Sequence, residues 1–284
     1  NIILDLTFII VFKMGVFGAG LATVIAQGIS AVLCLFYIIK NFDILKFEKD
    51  ELKFDKARSL SLVSIGVPMA LQFSITAIGS IVLQSAVNSL GTISVASATA
   101  AMKIQTVVMG PMESMGIAMA TYCGQNRGAG EYERIRTGIR QSLIMQMVYC
   151  VVSFAAVALF GGVMTMLFID KRSTDAASIE QILHLSRTYL VINGLFYPTL
   201  GILFIIRNSL QGMGYSFLPM LAGVSELAAR TLVAFAFVSS FGFSAVCMAS
   251  PVAWVLADTL LIIVYFVKMK ELRHETERKP VVSF

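Results

Sequence analysis

Six ionisable side chains lie inside long apolar stretches of the sequence and are the first candidates for chemistry. They are Asp5, Lys103, Glu113, Glu226, Arg230 and Asp258. A charge in such a setting is costly unless it is paired or exchanges an ion, so these residues are functional candidates by default. Glu226 and Arg230 are four residues apart, and this spacing predicts a structural ion pair near one end of a helix. Asp258 suits either a relay group or a carboxyl that is hydrogen-bonded inside a bundle.

Asp5 belongs to a group of oxygen-bearing side chains near the start of the chain. Asn1 lies four residues before it, on the same face of a predicted helix. Thr23 lies on the next predicted helix, at a matching depth if the two helices form a hairpin. A carboxylate, an amide and a hydroxyl suit a hard cation, or a proton held on the carboxylate. The alternative is a set of hydrogen bonds that only holds the helices together.

A stripe of polar side chains recurs every four residues along one apolar stretch. Its members are Gln72, Thr76, Ser80, Gln84 and Asn88. Steps of four residues keep these side chains on one broad helical face, and a polar face of this length cannot contact lipid. It faces either neighbouring helices or a water-filled cavity. We expect a substrate cavity lined by Gln72, Thr76, Ser80 and Gln84.

The following stretch is rich in methionine and carries a carboxylate. Met109, Met112 and Glu113 fall within roughly 100° of helical arc. Flexible, polarisable methionine suits a surface that accepts varied apolar ligands, and a carboxylate beside it would attract a cation. Ordinary methionine packing is the alternative. Together with the neighbouring stripe, these three residues are expected to line the same cavity.

The composition identifies the setting of these groups. Hydrophobic residues make up 57% of the 284 residues and charged residues only 14%. A soluble domain carries about 25% charged residues, so a soluble enzyme, a disordered chain and a collagen-like fibre are excluded. The apolar residues form long runs without alternation, which excludes a transmembrane barrel. Two histidines and four scattered cysteines favour neither a zinc site, a disulfide framework nor catalytic chemistry. We therefore expect no enzyme activity, no metal, no cofactor other than a transported ion, and no nucleic-acid partner.

Apolar runs of membrane-spanning length predict an all-α polytopic membrane protein with half a helix and seven full spans. The predicted segments are 1–12, 15–39, 61–88, 93–121, 139–168, 187–211, 217–239 and 243–267. Gly15 and Gly242 mark short turns, where glycine permits a tight reversal. Prolines inside spans predict kinks or local unwinding, and these are Pro68, Pro111, Pro198 and Pro251.

The distribution of basic residues predicts the orientation. Sixteen Lys and Arg side chains, Arg207 among them, fall on one side of the predicted membrane, against four on the other. The positive-inside rule places the sixteen in the cytoplasm, together with the C-terminal tail. We expect a multi-pass protein of the cell membrane, in a prokaryote the inner membrane, that functions as a monomer in the lipid bilayer.

A weak repeat relates the beginning of the chain to its end. At an offset of 227 residues, Gly15 matches Gly242 and Thr23 matches Ser250. If the match reflects a parallel duplication, residues 61–267 form one complete six-helix lobe. The chain would then begin inside a fifth helix, with four spans, roughly 150–170 residues, upstream. The expected segments are 1–40, ending a first lobe; 41–59, a cytoplasmic linker; 60–268, a complete second lobe; and 269–284, a cytoplasmic tail.

Several short segments resemble the multidrug and toxic compound extrusion (MATE) family of antiporters. They are Asn1-Ile-Ile-Leu-Asp5, GAGLATVIAQ at 18–27, GVPMALQ at 66–72, GQNRGAG at 124–130 and RNSLQGMG at 207–214. The resemblance covers the fifth to the twelfth helix of a twelve-helix fold with two lobes and a central cavity.

The resemblance implies export of amphipathic, often cationic, drug-like compounds by alternating access, driven by a proton or sodium gradient. In one branch of the family, an Asn and an Asp four residues apart and a Thr on the next helix help to bind the cation. Asn1, Asp5 and Thr23 match that pattern. The acidic residues that another branch uses in its second lobe are missing here. A flippase for lipid-linked precursors and a membrane scaffold without transport are the alternatives.

Overall fold

Helices account for all regular structure in the described part of the protein. The computed structural model describes residues 1–43, 54–169 and 175–278. The chain divides into two units, Asn1–Ser59 and Leu60–Phe284, and each is described by itself. Residues 44–53 of the predicted linker and 279–284 of the predicted tail lie outside the described residues. The predicted four-segment division of the chain therefore stays a prediction.

Unit 1 is a helical hairpin. Helix α1 (Ile2–Leu6) continues as a π-helical turn (Thr7–Val11), and α2 spans Gly15–Asn41. The reversal between them uses left-handed backbone at Lys13 (φ 53°) and Gly15 (φ 56°), a conformation that glycine adopts without strain. The predicted turn at Gly15 is therefore present.

Unit 2 contains eight helices among its described residues. They are α3 (Lys56–Asn88, whose first four residues belong to unit 1), α4 (Thr92–Gly128), α5 (Tyr132–Met166), α6 (Ala176–Leu195), α7 (Tyr197–Gly212), α8 (Phe217–Leu232), α9 (Val238–Phe241) and α10 (Phe243–Arg278). A π-helical turn, Val233–Phe237, joins α8 to α9 in one apolar helix of 25 residues.

The helices are long and apolar enough to cross a membrane, as the sequence predicts. Six helices are each long and apolar enough to cross a membrane, and α6 with α7 makes a seventh span if the bent pair is one span; Ile2–Val11 is a shorter apolar helix. Large apolar side chains point outward, for example Leu159 and Val163 on α5, which are 76% and 68% exposed. In a bilayer such faces contact lipid, so this is a multi-pass membrane protein.

One predicted span differs from the structure. The segment expected at 187–211 begins eleven residues earlier, at Ala176, and is divided at Phe196 into α6 and α7, which are bent by 52°. Pro198 lies in the first turn of α7, where its missing N–H breaks no helical hydrogen bond. The kink predicted from Pro198 is therefore a complete break between two helices, whereas α3, α4 and α10 continue through their prolines.

Close packing of small residues holds the centre of unit 2 together. Helix α4 packs against α5, α6 and α7, and α10 packs against α7 and α8. A Cβ added at Gly212 of α7 would lie 2.1 Å from the carbonyl oxygen of Ala120 on α4. Only glycine allows the two backbones to approach so closely, as is typical of membrane helix interfaces. Polar contacts also cross the helices: the Ser186 hydroxyl donates to the Ser97 carbonyl over 2.9 Å.

The two segments related by the sequence repeat share local backbone features. Gly242 has φ 55°, almost the value at Gly15, and each glycine follows a π-helical turn. Adding the offset of 227 residues to the first π-helical turn, Thr7–Val11, gives 234–238, which differs by one residue from the second turn, Val233–Phe237. This agreement in irregular backbone supports the repeat that the sequence suggests.

Candidate functional site

The predicted cation group lies on the hairpin of unit 1. Asn1 and Thr23 are exposed in this structure and Asp5 is half-buried. The Asp5 N–H donates to the Asn1 carbonyl over 2.9 Å, which fixes the two residues one turn apart. The Thr23 hydroxyl donates to the Ala19 carbonyl over 3.0 Å, so its oxygen still has acceptor capacity. No hydrogen bond among the described residues joins the three side chains to one another.

Hairpin packing places Asp5 and Thr23 at comparable depth. A Cβ added at Gly18 would meet the Cβ of Phe8 at 3.1 Å, so these positions face each other across the hairpin. Asp5 lies about 4.5 Å further from the turn than Phe8, and Thr23 about 7.5 Å further than Gly18, by helical rise. The assignment of these residues to a cation site stays a prediction.

The polar stripe of α3 divides between a dry interface and a cavity. Gln72 is buried, and its Oε1 accepts a 2.6 Å hydrogen bond from Gln211 Nε2 on α7. The hydroxyl of Thr76 is buried without a hydrogen-bond partner among the described residues. Ser80 and Gln84, one and two turns further along, line a cavity. Neither of the two alternatives for the stripe therefore describes all of it.

That cavity lies within unit 2 and has a volume of about 430 Å³, a size typical of small-molecule sites. Helices α3, α4, α6, α8 and α10 contribute its walls. The lining residues are Ser80, Ile81, Leu83, Gln84, Met102, Gln105, Thr106, Met109, Tyr189, Arg230, Ser250 and Trp254. We call it the unit 2 cavity.

The methionine-rich face of α4 does not enter the cavity as a unit. Met109 lines the cavity, but Met112 is fully buried in the hydrophobic core. Glu113 is exposed and absent from the cavity wall. Successive helical residues diverge by about 100°, so a core position next to an exposed one is expected. The prediction that Met109, Met112 and Glu113 line one cavity is therefore not what the structure of unit 2 displays.

A buried ion network lies beside the cavity. Glu226 contacts Arg230 through Oε2 at 3.4 Å, which gives the predicted i,i+4 pair. Its other oxygen, Oε1, contacts Nη2 of Arg207 on α7. The side chains of Arg207, Glu226 and Arg230 are all at most 10% exposed. Both partners of the predicted pair lie near the middle of the Phe217–Phe241 helix, not near its end as expected.

Arg207 is the member of this network whose burial the sequence does not predict. The distribution of basic residues places it on the cytoplasmic side, which stays a prediction, and in the structure it is buried within α7. Its position inside the apolar run predicted at 187–211, four residues before Gln211, was the sequence feature that could have indicated a buried arginine. A buried arginine needs an anion, and Glu226 supplies it.

Asp258 on α10 is a further buried acid near this network. It is 4% exposed, and neither carboxyl oxygen has a hydrogen-bond partner among the described residues. Arg207 and Glu226 lie close enough to act on it electrostatically. The expectation of a carboxyl hydrogen-bonded inside the bundle is therefore not met.

Known proteins with similar sequences are multidrug resistance and export proteins by name. The MatE family model matches residues 68–236. The probable multidrug resistance protein YpnP of Bacillus subtilis is 29% identical over 218 residues, covering 75% of this chain and 46% of that protein. The multidrug export protein MepA of Staphylococcus aureus is 28% identical over 231 residues, covering 79% of this chain and 49% of that protein. This chain thus spans about half the length of the curated relatives it matches.

Solved structures share the fold. A crystal structure of MATE in the bent conformation matches with a TM-score of 0.85 and 18% identity, covering 98% of this chain and 60% of that one. A mutant of the Vibrio cholerae MATE transporter VcmN matches with a TM-score of 0.79 and 19% identity, covering 95% of this chain and 59% of that one.

Proposed function

Because this chain belongs to the MatE family, we propose that the protein exports amphipathic small molecules across the cell membrane in exchange for a proton or a sodium ion. The observation that carries the proposal is the unit 2 cavity, which combines apolar and aromatic walls with a few polar groups. Such a mixture is typical of sites that hold drug-like molecules. The names of YpnP and MepA as multidrug proteins support the same activity.

Asp5 is the proposed coupling residue. It is a half-buried carboxyl in an apolar hairpin, one turn from Asn1 and at a depth comparable with Thr23. Its carboxylate would attract a cation, and the Asn1 and Thr23 oxygens would complete part of the ligand set. Binding of the cation and of the exported compound must each favour a different facing state for exchange to occur.

A flippase for lipid-linked precursors is the less favoured candidate. It would require a strongly basic cavity, and the unit 2 cavity has Arg230 as its single charged lining residue among the described residues. Lys103 is exposed on α4 and lies over the Phe168 ring at 5.5 Å, outside the cavity. A scaffold without transport would require the whole polar stripe of α3 to be packed against other helices. Only the end of the stripe at Gln72 is packed, against Gln211 of α7.

Inverted membrane vesicles test the proposal. The protein, expressed at its full encoded length, should concentrate fluorescent amphipathic compounds inside the vesicles when a proton or sodium gradient is imposed. We expect Asp5→Asn to abolish the gradient dependence, while Asp5→Glu, which keeps the charge, retains part of it. Gradient-dependent uptake by Asp5→Asn at the wild-type rate would contradict the coupling role. Failure of the wild-type protein to concentrate any compound would contradict export itself.

A further inference from the structure

One charged group lies on the wall of the unit 2 cavity. Of its lining residues, all of them described, only Arg230 carries a formal charge. The acid that the sequence placed in a cavity, Glu113, is on the exposed side of α4. Glu226, the partner of Arg230, is buried and is not a lining residue, so the guanidinium is the charged group that a ligand in the cavity can contact, and it would pair with an anion.

The hydrogen bonds of Arg230 are long enough for its guanidinium to exchange one of them for a bond to a ligand. Its two hydrogen bonds, to the Thr76 carbonyl and to Glu226 Oε2, are both 3.4 Å long. A guanidinium–carboxylate pair with good geometry is shorter, about 2.7–2.9 Å. Glu226 keeps a second partner in Arg207. Arg230 can therefore turn toward an anion in the cavity without leaving Glu226 unpaired.

Other lining groups complete a site for a carboxylate attached to a flat apolar body. Tyr189 and Ser250 line the same cavity as Arg230, so two hydroxyl groups share its wall with the guanidinium. Gln84 and Gln105 add amide donors on the opposite helices. The Trp254 ring, 3% exposed, offers an aromatic wall, and Met102 and Met109 offer adaptable apolar contacts.

The sequence repeat aligns residues near this cavity with residues of the proposed cation group. At the offset of 227 residues, Ser250 on the cavity wall corresponds to Thr23 of that group. The position of Asp5 corresponds to Leu232, two residues after Arg230. The repeat therefore aligns two hydroxyl side chains, Thr23 and Ser250, whereas Arg230 corresponds to Ile3.

We propose that the unit 2 cavity binds anionic or zwitterionic amphipathic compounds, with their carboxylate on Arg230 and an aromatic portion against Trp254. This assignment rests on the proposed export function, because it names the class of compound exported. It replaces the cationic preference that the family resemblance suggests with a preference for a carboxylate.

A fluorescence titration tests the proposal directly. Trp254 is the only tryptophan in the 284 residues, so energy transfer from it to a dansyl group reports occupancy of the cavity. The probes are dansylglycine and dansylglycinamide, which differ in one carboxylate. Purified protein of full encoded length is used in detergent, and Trp254→Phe provides the background. We expect dansylglycine to bind roughly tenfold more tightly or better, the range of one charge-assisted hydrogen bond.

Two variants separate the role of Arg230 in binding from its role in folding. Arg230→Gln should equalise the Kd values of the two probes. Gln84→Glu leaves Arg230 in place but adds a carboxylate to the wall, and it should also remove the preference for dansylglycine. Gly110→Ala, where an added Cβ meets nothing within 4 Å, should bind as the wild type does.

Each outcome has a definite meaning. Equal affinities of the two probes for the wild-type protein would overturn the proposal, as would a preference that survives Gln84→Glu. If Arg230→Gln does not fold, the Gln84→Glu result decides. A carboxylate preference without gradient-driven uptake in vesicles would leave this site intact and refute export, whereas uptake without the preference would refute this site alone.

Discussion

The buried ion network predicts how much stability is lost when each partner is removed. In Glu226→Gln, both Arg207 and Arg230 lose the carboxylate that they share. Asp258, without a hydrogen bond among the described residues, is the remaining acid. In Arg230→Gln, by contrast, Glu226 keeps its contact with Arg207. The first substitution therefore leaves two buried cations without their partner, and the second leaves none.

The magnitudes follow from this difference. Removing one partner of a buried ion pair typically costs about 3–5 kcal/mol, and we expect about 4 kcal/mol for Glu226→Gln. The contacts of Arg230 are long, 3.4 Å each, so we expect about 1.5 kcal/mol for Arg230→Gln. At roughly 2–4 °C per kcal/mol, Tm should fall by about 8–16 °C and about 3–6 °C respectively.

The cysteines of the chain supply the assay. Cys123, Cys150 and Cys247 are buried, whereas Cys34 is exposed. With Cys34 replaced by Ser in every variant, a thiol-reactive fluorophore reports thermal unfolding of unit 2 in detergent. The double variant Glu226→Gln/Arg230→Gln completes a mutant cycle and should lose less stability than the sum of the single variants. A Tm of Glu226→Gln within about 2 °C of the wild type, or equal losses for both single variants, would refute the reasoning.

Three further predictions concern packing, the cavity and a turn. Gly212→Ala should lower Tm sharply, because the added Cβ would lie 2.1 Å from a backbone oxygen of α4. Gly110→Ala, whose Cβ meets nothing within 4 Å, should keep or raise Tm, and equal Tm values for the two variants would contradict the packing. Ser80→Cys, on the cavity wall, should react with a water-soluble thiol reagent, whereas Thr76→Cys should not, because the Thr76 hydroxyl is buried; equal rates would contradict the cavity. Gly242→Ala should cost about 1–2 kcal/mol because of its φ of 55°, and an unchanged Tm would count against that turn.

The spans could be predicted because hydropathy is a property of each segment alone. Membrane helices must satisfy their backbone internally and face lipid, so length and composition locate them. The predicted span 217–239 lies within the observed Phe217–Phe241 helix. The predicted span begins eleven residues after the start of α6, because Glu180 and His184 interrupt the apolar pattern in the first turns of that helix.

The site could be predicted only where partners lie on the same helix. The Glu226–Arg230 pair follows from spacing, and so does the shared wall position of Ser80 and Gln84. The contact of Glu226 with Arg207 joins positions nineteen residues apart on different helices. Such a contact depends on helix packing, which residue spacing along one helix does not encode.

The direction in which a side chain points was the other source of error. Glu113 adjoins Met112 in sequence, but only Met112 faces the core, and the neighbours that decide this belong to other helices. The Glu113 carboxylate therefore does not contribute to the wall of the unit 2 cavity. Arg230, assigned to a structural pair, also lines the cavity, because a long side chain can contact both.

The most direct test of the central claim is uphill flux in liposomes that contain only the purified protein at its full encoded length. A proton or sodium gradient is imposed, and the concentration of dansylglycine is measured on both sides of the membrane. The account predicts accumulation above the equilibrium concentration, release when the gradient is collapsed, and loss of accumulation in Asp5→Asn. Equal concentrations on the two sides under either gradient would contradict it.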